Sequence, residues 1–225
     1  MEEIRLIELK EDIMTDNNSL AAELKKMLKK KKTFLLNIMS SPGAGKTTLI
    51  LKTIESLKTR FRIAVIEADI DSTVDAEKVA LLGVKAVQLR TGGFCHLDAS
   101  MVKKGLDALD LDNLDLVIVE NVGNLVCPAE FDTGAIRNVM ILSIPEGDDK
   151  PLKYPLMFTV CACLIVSKMD CVLMFDFDMD MLEKRVRKLN PAIKILPISA
   201  KTGLGMETWT EWLDKEIGEF TGSPA

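Results

Sequence analysis

This sequence has no long hydrophobic run, no excess of positive charge and only one histidine. No stretch approaches the roughly 18 consecutive apolar residues of a membrane span, and Met1–Arg5 does not resemble a signal peptide, so we expect neither membrane insertion nor secretion. The net charge of −5 argues against nucleic acid as a partner. Five cysteines without an even-numbered framework indicate a reducing cytoplasm, where thiols act as ligands, nucleophiles or core residues.

An apolar run at 34–39 leads into a loop of small residues and then into a helical pattern that begins at Lys46. This strand–loop–helix context is typical of a phosphate-binding P-loop, in which Lys46 reaches the β- and γ-phosphates and the Thr47 hydroxyl binds Mg²⁺. Ser40 stands where the usual G-x-x-x-x-G-K-S/T pattern has glycine, a change that a negative φ tolerates. The residues predicted to bind the nucleotide here are Gly43, Ala44, Gly45, Lys46, Thr47 and Thr48.

Strand-like runs alternate with helical patterns throughout the rest of the chain, for example strands at 63–67 and 114–120 and helices at 179–189 and 206–220. This alternation predicts an α/β fold with a mostly parallel sheet covered by helices on both faces. We therefore expect one P-loop NTPase domain at 33–225 and an N-terminal helical extension at 1–32, in which Ser19 caps a helix. A connecting loop with three prolines is expected at 145–155.

Ser167-Lys168-Met169-Asp170 follows an apolar strand and is a variant of the guanine-specificity motif N-K-x-D, with Ser167 in place of asparagine. The Asp170 carboxylate can accept two hydrogen bonds from guanine, and the stem of Lys168 can cover the base. Further along, Ser199-Ala200-Lys201 is placed to offer a backbone N–H to the guanine oxygen. These residues favour GTP over ATP.

Carboxylates near the terminal phosphate are needed to hold Mg²⁺ and to orient the attacking water. The alternative for each of these acids is a helix cap or a solvated loop acid. We rank Glu120 and Asp75 above Asp69 and Asp71. The predicted magnesium ligands are Thr47, Asp69, Asp75 and Glu120, and the predicted catalytic residues are Lys46, Asp75 and Glu120. No residue is assigned as an essential base.

Cys95 and His96 follow one predicted strand, and Cys127 lies in the loop after Glu120. Thiolates and imidazole suit Zn²⁺ or Ni²⁺. Three ligands are one short of a tetrahedron, so water or a second subunit would complete the site. The alternative is that these cysteines pack as small apolar residues, which is the better interpretation for Cys161, Cys163 and Cys171.

Three segments, 92–99, 120–128 and 146–155, closely resemble the HypB family of hydrogenase nickel-incorporation GTPases, which belong to the SIMIBI class of P-loop GTPases. The likeness extends from about residue 33 to 217. It implies GTP hydrolysis, a homodimer linked by nucleotide or metal, and a nickel or zinc site at Cys95, His96 and Cys127. It also implies delivery of nickel to the [NiFe]-hydrogenase large subunit together with a second accessory protein.

Other functions stay open at this point. A related SIMIBI GTPase that serves urease or a cobalamin enzyme is one, although such relatives use different metal-loop patterns. A non-catalytic metal-binding switch is another, and a P-loop small-molecule kinase is a third. With a single histidine, the sequence has no histidine-rich stretch, so high-capacity nickel storage is not expected.

Overall fold

A seven-stranded sheet forms the centre of the protein, in a computed structural model that describes residues 9–69 and 74–222. Its strand order is β3-β2-β4-β1-β5-β6-β7, and every neighbouring pair is parallel. The predicted parallel α/β fold is thereby confirmed. The strands are β1 Phe34–Ser40, β2 Ile63–Asp69, β3 Lys85–Arg90, β4 Leu116–Glu120, β5 Arg137–Ser143, β6 Cys163–Ser167 and β7 Lys194–Pro197.

Helices cover both faces of the sheet. Alternate residues of β1 point to opposite faces, so Phe34 and Ile38 pack in one apolar cluster with α2 and α9, whereas Leu35 packs in another with α1 and α4. A third cluster joins β5 and β6 to α7 and α8. The helices are α1 Leu9–Lys31, α2 Lys46–Leu57, α3 Val74–Leu81, α4 Ala99–Asp107, α5 Cys127–Glu130, α6 Lys150–Lys153, α7 Pro155–Val160, α8 Met179–Leu189 and α9 Met206–Thr221.

The N-terminal helix α1 starts earlier than the sequence predicts. Ser19, the predicted N-cap, lies inside the helix, so that prediction is wrong. The polar run before Ser19 stays helical because Asn17 is buried and bonded to two other segments: its Oδ1 accepts from the Ala99 N–H at 2.9 Å and its Nδ2 donates to the Asp132 carbonyl at 3.0 Å. Tertiary contacts thus override a local capping signal. Residues 1–8 of the expected extension lie outside the described residues.

The segment predicted as a proline-containing loop contains short helices. A 3₁₀ turn at Ile144–Glu146, helix α6 and helix α7 each carry one proline in the first turn. Proline suits this position because its fixed φ matches the helix and its missing N–H has no intrahelical partner there. The three prolines therefore start helical turns rather than interrupt them.

Within 9–69 and 74–222, none of the helices is both long and apolar enough to cross a membrane.

Candidate functional site

The predicted site residues gather at the carboxyl edge of the sheet. The loop after the central strand β1 enters α2 there, with β4 on one side of β1 and β5 on the other. Strand order reverses at this point of the chain, which is the usual place for a ligand in an open α/β sheet. The loops that follow β2, β3, β4 and β6 begin at the same edge, because all the strands are parallel.

The P-loop backbone has the conformation that its glycines allow. Gly43 and Gly45 have φ values of +74° and +107°, which side chains of L residues rarely adopt. Ser40 is the last residue of β1 and has a negative φ, so the missing glycine costs no strain. Its hydroxyl instead accepts a hydrogen bond from Lys46 Nζ at 3.2 Å. Serine at this position therefore holds the lysine of the loop.

A polar cavity of about 520 Å³ lies in front of the P-loop. In it the Thr47 hydroxyl donates to Glu120 Oε1 at 3.0 Å. Asp75 belongs to the first turn of α3, where it forms an ion pair with Lys78 at 2.7 Å. Asp71 lies outside the described residues. Of the predicted residues, the cavity is lined by Gly43, Gly45, Lys46, Thr47, Thr48, Asp69, Asp75 and Glu120.

Lys46 lies among carboxyl groups at the bottom of this cavity. Burial lowers the pKa of Lys46, while the charge of Glu120 opposes the shift. Burial likewise raises the pKa of Glu120, and Lys46 opposes that shift. The lysine and Glu120 therefore stabilise each other's charged form in a site where each would otherwise be costly to bury.

Glu67, which the sequence analysis assigned no role, is part of this site. It is the register partner of Glu120 across β2 and β4, and it is only 3% exposed. Burial, followed by repulsion from Glu120, raises the pKa of Glu67 to about 10, so this carboxyl is protonated at neutral pH. A glutamate inside an otherwise apolar strand is the sequence signal that marks it.

A second unpredicted contact ties the P-loop to the segment after β5. The Ser41 hydroxyl donates to Glu146 Oε1. Glu146 Oε2 also accepts from the backbone N–H and the hydroxyl of Ser143, both at 2.7 Å, in a capping box. The Ser41 side chain thereby anchors the P-loop to the end of β5.

A smaller, mostly apolar cavity of about 270 Å³ adjoins the P-loop on the β6 side. The Ser167 hydroxyl donates to the Ala44 carbonyl and Lys168 Nζ to the Gly43 carbonyl, each at 2.7 Å. Lys168 has a φ of +61°, a conformation that non-glycine residues hold mainly where the surroundings enforce it. Of the predicted residues, this cavity is lined by Ala44, Gly45, Thr48, Ser167, Lys168, Asp170, Ala200 and Lys201.

Ser199 lies behind this cavity rather than in its lining. Its hydroxyl donates to Asp170 Oδ1 at 2.6 Å, and this hydrogen bond lowers the pKa of Asp170. Lys201 Nζ is 4.0 Å from the other carboxylate oxygen. The carboxylate is thus fixed in its charged form, facing a pocket walled by Ile141, Ile165 and Ile198.

Cys95, His96 and Cys127 come together at the same edge, beyond β3 and β4. Their ligand atoms all lie within 4.8 Å of one another, and the two Sγ atoms are 3.1 Å apart. Partial burial lowers the pKa of His96, which favours the neutral imidazole that a metal requires. The hydrogen bond that the Cys127 thiol shares with Cys95 raises the pKa of Cys127. Such a set of soft and borderline ligands suits Ni²⁺ or Zn²⁺.

Local structure holds each ligand in place. Asp98 caps α4 by accepting from the Met101 N–H at 2.8 Å, which fixes the end of the loop that carries Cys95 and His96. The His96 ring stacks on Phe131 with centroids 4.0 Å apart. Cys127 is the first residue of α5. Buried Cys161 and Cys163 lie in or beside the core, as predicted.

Comparison with known proteins gives a consistent result. Residues 34–197 match the family model described as the CobW/HypB/UreG nucleotide-binding domain. The hydrogenase maturation factor HypB of Azotobacter chroococcum mcd 1 is 44% identical over 214 residues, which are 95% of this chain and 70% of that protein.

Two solved structures are similar over nearly the whole chain. The crystal structure of HypB from Helicobacter pylori in complex with nickel superposes with a TM-score of 0.86 at 40% identity, covering 91% of this chain and 96% of that one. The crystal structure of the hydrogenase maturation factor HypB from Archaeoglobus fulgidus superposes with a TM-score of 0.84 at 35% identity, covering 90% and 99%.

Proposed function

The chain belongs to the CobW/HypB/UreG family, in which its similar relatives are HypB maturation factors, and from this membership we propose that it hydrolyses GTP in order to deliver nickel to a [NiFe]-hydrogenase during maturation. One observation carries the proposal. Cys127, a ligand of the thiol–imidazole cluster, follows the phosphate-site acid Glu120 by seven residues in one segment. Nucleotide chemistry and metal binding therefore share a piece of backbone.

The two cavities on either side of the P-loop fit the two halves of GTP. The polar cavity takes the phosphates, with Lys46 and the backbone N–H groups of the loop as donors. The apolar cavity takes the base, with Asp170 accepting from guanine and Lys168 covering the ring. Ser199, Ala200 and Lys201 complete the base site by holding the carboxylate and offering a backbone donor.

Mg²⁺ fits the oxygen donors beside the phosphates. Glu120 Oε2 is buried and has no hydrogen-bond partner among the described residues. The Thr47 hydroxyl donates a hydrogen bond to the other oxygen of the same carboxylate, Oε1. Asp69 and Asp75 line the same cavity. When bound, the ion neutralises charge on the phosphates. Lys46 adds positive charge, and Asp75 and Glu120 position the attacking water.

Nickel is the cargo in this proposal, and Cys95, His96 and Cys127 bind it. Zinc would use the same ligands. Because three ligands leave a tetrahedral metal incomplete, a second copy of the chain supplies the remainder and forms a homodimer. The exposed Phe94 and Val126, each one residue before a cysteine ligand, give that contact an apolar rim. The hydrogenase large subunit and a second accessory protein are the further partners, in the cytoplasm.

The decisive experiment measures nickel stoichiometry, oligomer size and GTP turnover on the same preparation, in GDP and in a non-hydrolysable GTP analogue. We expect saturable GTP hydrolysis that is lost in Lys46→Ala, and nickel bound by a dimer. A nucleotide that binds but is never hydrolysed would point to a non-catalytic switch. A phosphorylated small-molecule product would point to a kinase.

Cys127→Ala tests the metal ligands, with Cys161→Ala as a matched control. Each variant removes one thiol, but Cys161 is buried in the core, away from the cluster. We expect Cys127→Ala to lower nickel affinity by about tenfold or more while GTP affinity stays unchanged. Equal nickel affinity in the two variants would refute the assignment of the site.

A further inference from the structure

Asn121 is a fully buried polar side chain whose hydrogen bonds join the loop after β3, the loop after β4 and strand β1. Its Oδ1 accepts from the Leu97 N–H at 3.1 Å and from the Val122 N–H at 2.9 Å. Its Nδ2 donates to Asn37 Oδ1 at 3.2 Å, and Asn37 Nδ2 donates in turn to Asn138 Oδ1 at 3.0 Å. A chain of side-chain amides thus runs from the loop after β3 across β4 and β1 to β5.

The two ends of the bond between Leu97 and Asn121 lie next to the two halves of the site. Leu97 directly follows the ligand His96, and Asn121 directly follows Glu120, whose carboxylate accepts from Thr47. No other residue stands between the backbone of the metal loop and the end of β4 at this bond. This bond is therefore a direct connection between the end of β4 and the loop that carries Cys95 and His96.

The rest of the 120–127 segment lies against the P-loop. The Asn124 N–H donates to the Ser40 carbonyl at 2.9 Å. A Cβ added to Gly123 would lie 2.9 Å from the backbone nitrogen of Pro42, so these two backbones are already in close contact. Because the segment ends at Cys127, it connects the P-loop to one ligand, and Asn121 connects it to the other two.

We propose that Asn121 is a positioning residue that transmits the nucleotide state of the Thr47–Glu120 region to the metal ligands on both loops. The inference rests on the proposed function, because it requires that both nucleotide and nickel bind. A buried amide that loses one of its partners leaves an unsatisfied polar group, so the bonds to Leu97 and Asn37 make the loops move as one unit. Coupling between the nucleotide site and the metal ligands needs such a physical connection, in segments whose arrangement differs between the two nucleotide states.

The test measures nickel affinity of the full chain in GDP and in a non-hydrolysable GTP analogue, for the wild type, Asn121→Ala and Asn138→Ala. Asn138 is the matched control because it lies at the far end of the same amide chain and does not contact Leu97. We expect the two nucleotides to change wild-type nickel affinity by about fivefold or more. In Asn121→Ala the nickel affinities in the two nucleotides should differ by no more than about twofold. In Asn138→Ala they should differ as much as in the wild type.

A structural role alone predicts a different result, in which Asn121→Ala is less stable but keeps the wild-type ratio, and that result would overturn the proposal. Amide hydrogen exchange of Leu97 in the wild type provides a test that needs no variant. We expect its exchange rate to differ between the two nucleotides, and identical rates would overturn the proposal. GTP turnover and nickel binding are measured on the same samples. A wild type that hydrolyses GTP and binds nickel with the same affinity in both nucleotides overturns only this inference. A wild type that lacks either activity overturns the proposed function as well.

Discussion

Glu67 and Glu120 lie opposite each other on neighbouring parallel strands, with both carboxyl groups buried beside Lys46. One of the two is protonated at neutral pH, because burial and the charge of Glu120 raise the pKa of Glu67 to about 10. In the unfolded chain the same carboxyl ionises near its ordinary pKa of 4.5. At this carboxyl the folded protein therefore binds one more proton than the unfolded chain between these pH values.

This difference predicts that Glu67 makes folding less favourable as the pH rises from about 5 to about 10. Glu67→Gln removes the titration and keeps a neutral side chain of similar shape. Without nucleotide or magnesium, its free energy of unfolding should therefore rise relative to wild type between pH 6 and pH 8, by up to about 1 kcal/mol per pH unit. Urea unfolding at both pH values measures this. The control is Glu55→Gln, which replaces an acid on the surface instead of a buried one. Parallel curves for Glu67→Gln and wild type would contradict the assignment.

Asp170→Asn tests the base site. The carboxylate is positioned by Ser199 and faces the apolar cavity, where it would accept two hydrogen bonds from guanine. We expect the amide to weaken GTP binding by about 10- to 100-fold, because a charged acceptor is lost and an amide donor faces a guanine donor. Xanthosine triphosphate, which presents an oxygen at that position, should bind the variant better than the wild type.

Titration calorimetry with both nucleotides measures this exchange of preference. Asp176→Asn is the control, since Asp176 is an exposed acid near the same motif but not in the cavity lining. An unchanged preference for GTP in Asp170→Asn would exclude Asp170 as the residue that reads the base.

Gly123→Ala tests the close approach between the 120–127 segment and the P-loop. The added methyl meets the backbone of Pro42, which can yield only if the P-loop shifts. We expect GTP affinity to fall about tenfold. Gly105→Ala is the matched control: its methyl would also come within 2.9 Å of a neighbour, but that neighbour is the flexible end of the Ile66 side chain in the core. The control should lose stability and keep GTP affinity, and equal affinities in the two variants would refute the argument.

Asn17→Ala tests why α1 extends beyond its apparent cap. Removing the side chain leaves the Ala99 N–H and the Asp132 carbonyl without their partner, at a cost of about 1–3 kcal/mol. The neighbouring Asn18 is exposed, and Asn18→Ala should be neutral or slightly stabilising, because alanine is the better helix former. Urea unfolding compares the two variants. Equal stabilities would show that these tertiary bonds do not decide where the helix starts.

Sequence reasoning located the elements best where the periodicity was strong. Helix α8 spans the predicted residues 179–189, and the strands differ from prediction by about two residues at their ends. It also named Cys95, His96 and Cys127, whose ligand atoms the fold brings together. These signals are local: an apolar period, a glycine pattern or a pair of adjacent ligands.

The features it did not find depend on contacts between distant parts of the chain. The position of Glu67 in an apolar strand is a local signal, but its role follows from its register with Glu120, which no local pattern encodes. The contact between Ser41 and Glu146 joins residues 105 positions apart. The start of α1 depends on Asn17 reaching Ala99 and Asp132. Register and long-range polar contacts are set by the assembled sheet, so a single sequence does not show them.

The strand order also separates two tasks on opposite sides of β1. The apolar cavity is built from β5, β6 and the residues after β7, whereas the thiol–imidazole cluster is built from the loops after β3 and β4. The P-loop is the part that both sides share. Substitutions around the thiol–imidazole cluster can therefore accumulate on one flank without altering the residues that line the apolar cavity on the other. For protein engineering, this separation means that the thiol–imidazole cluster can be redesigned for another metal while the apolar cavity on the other flank is left unchanged.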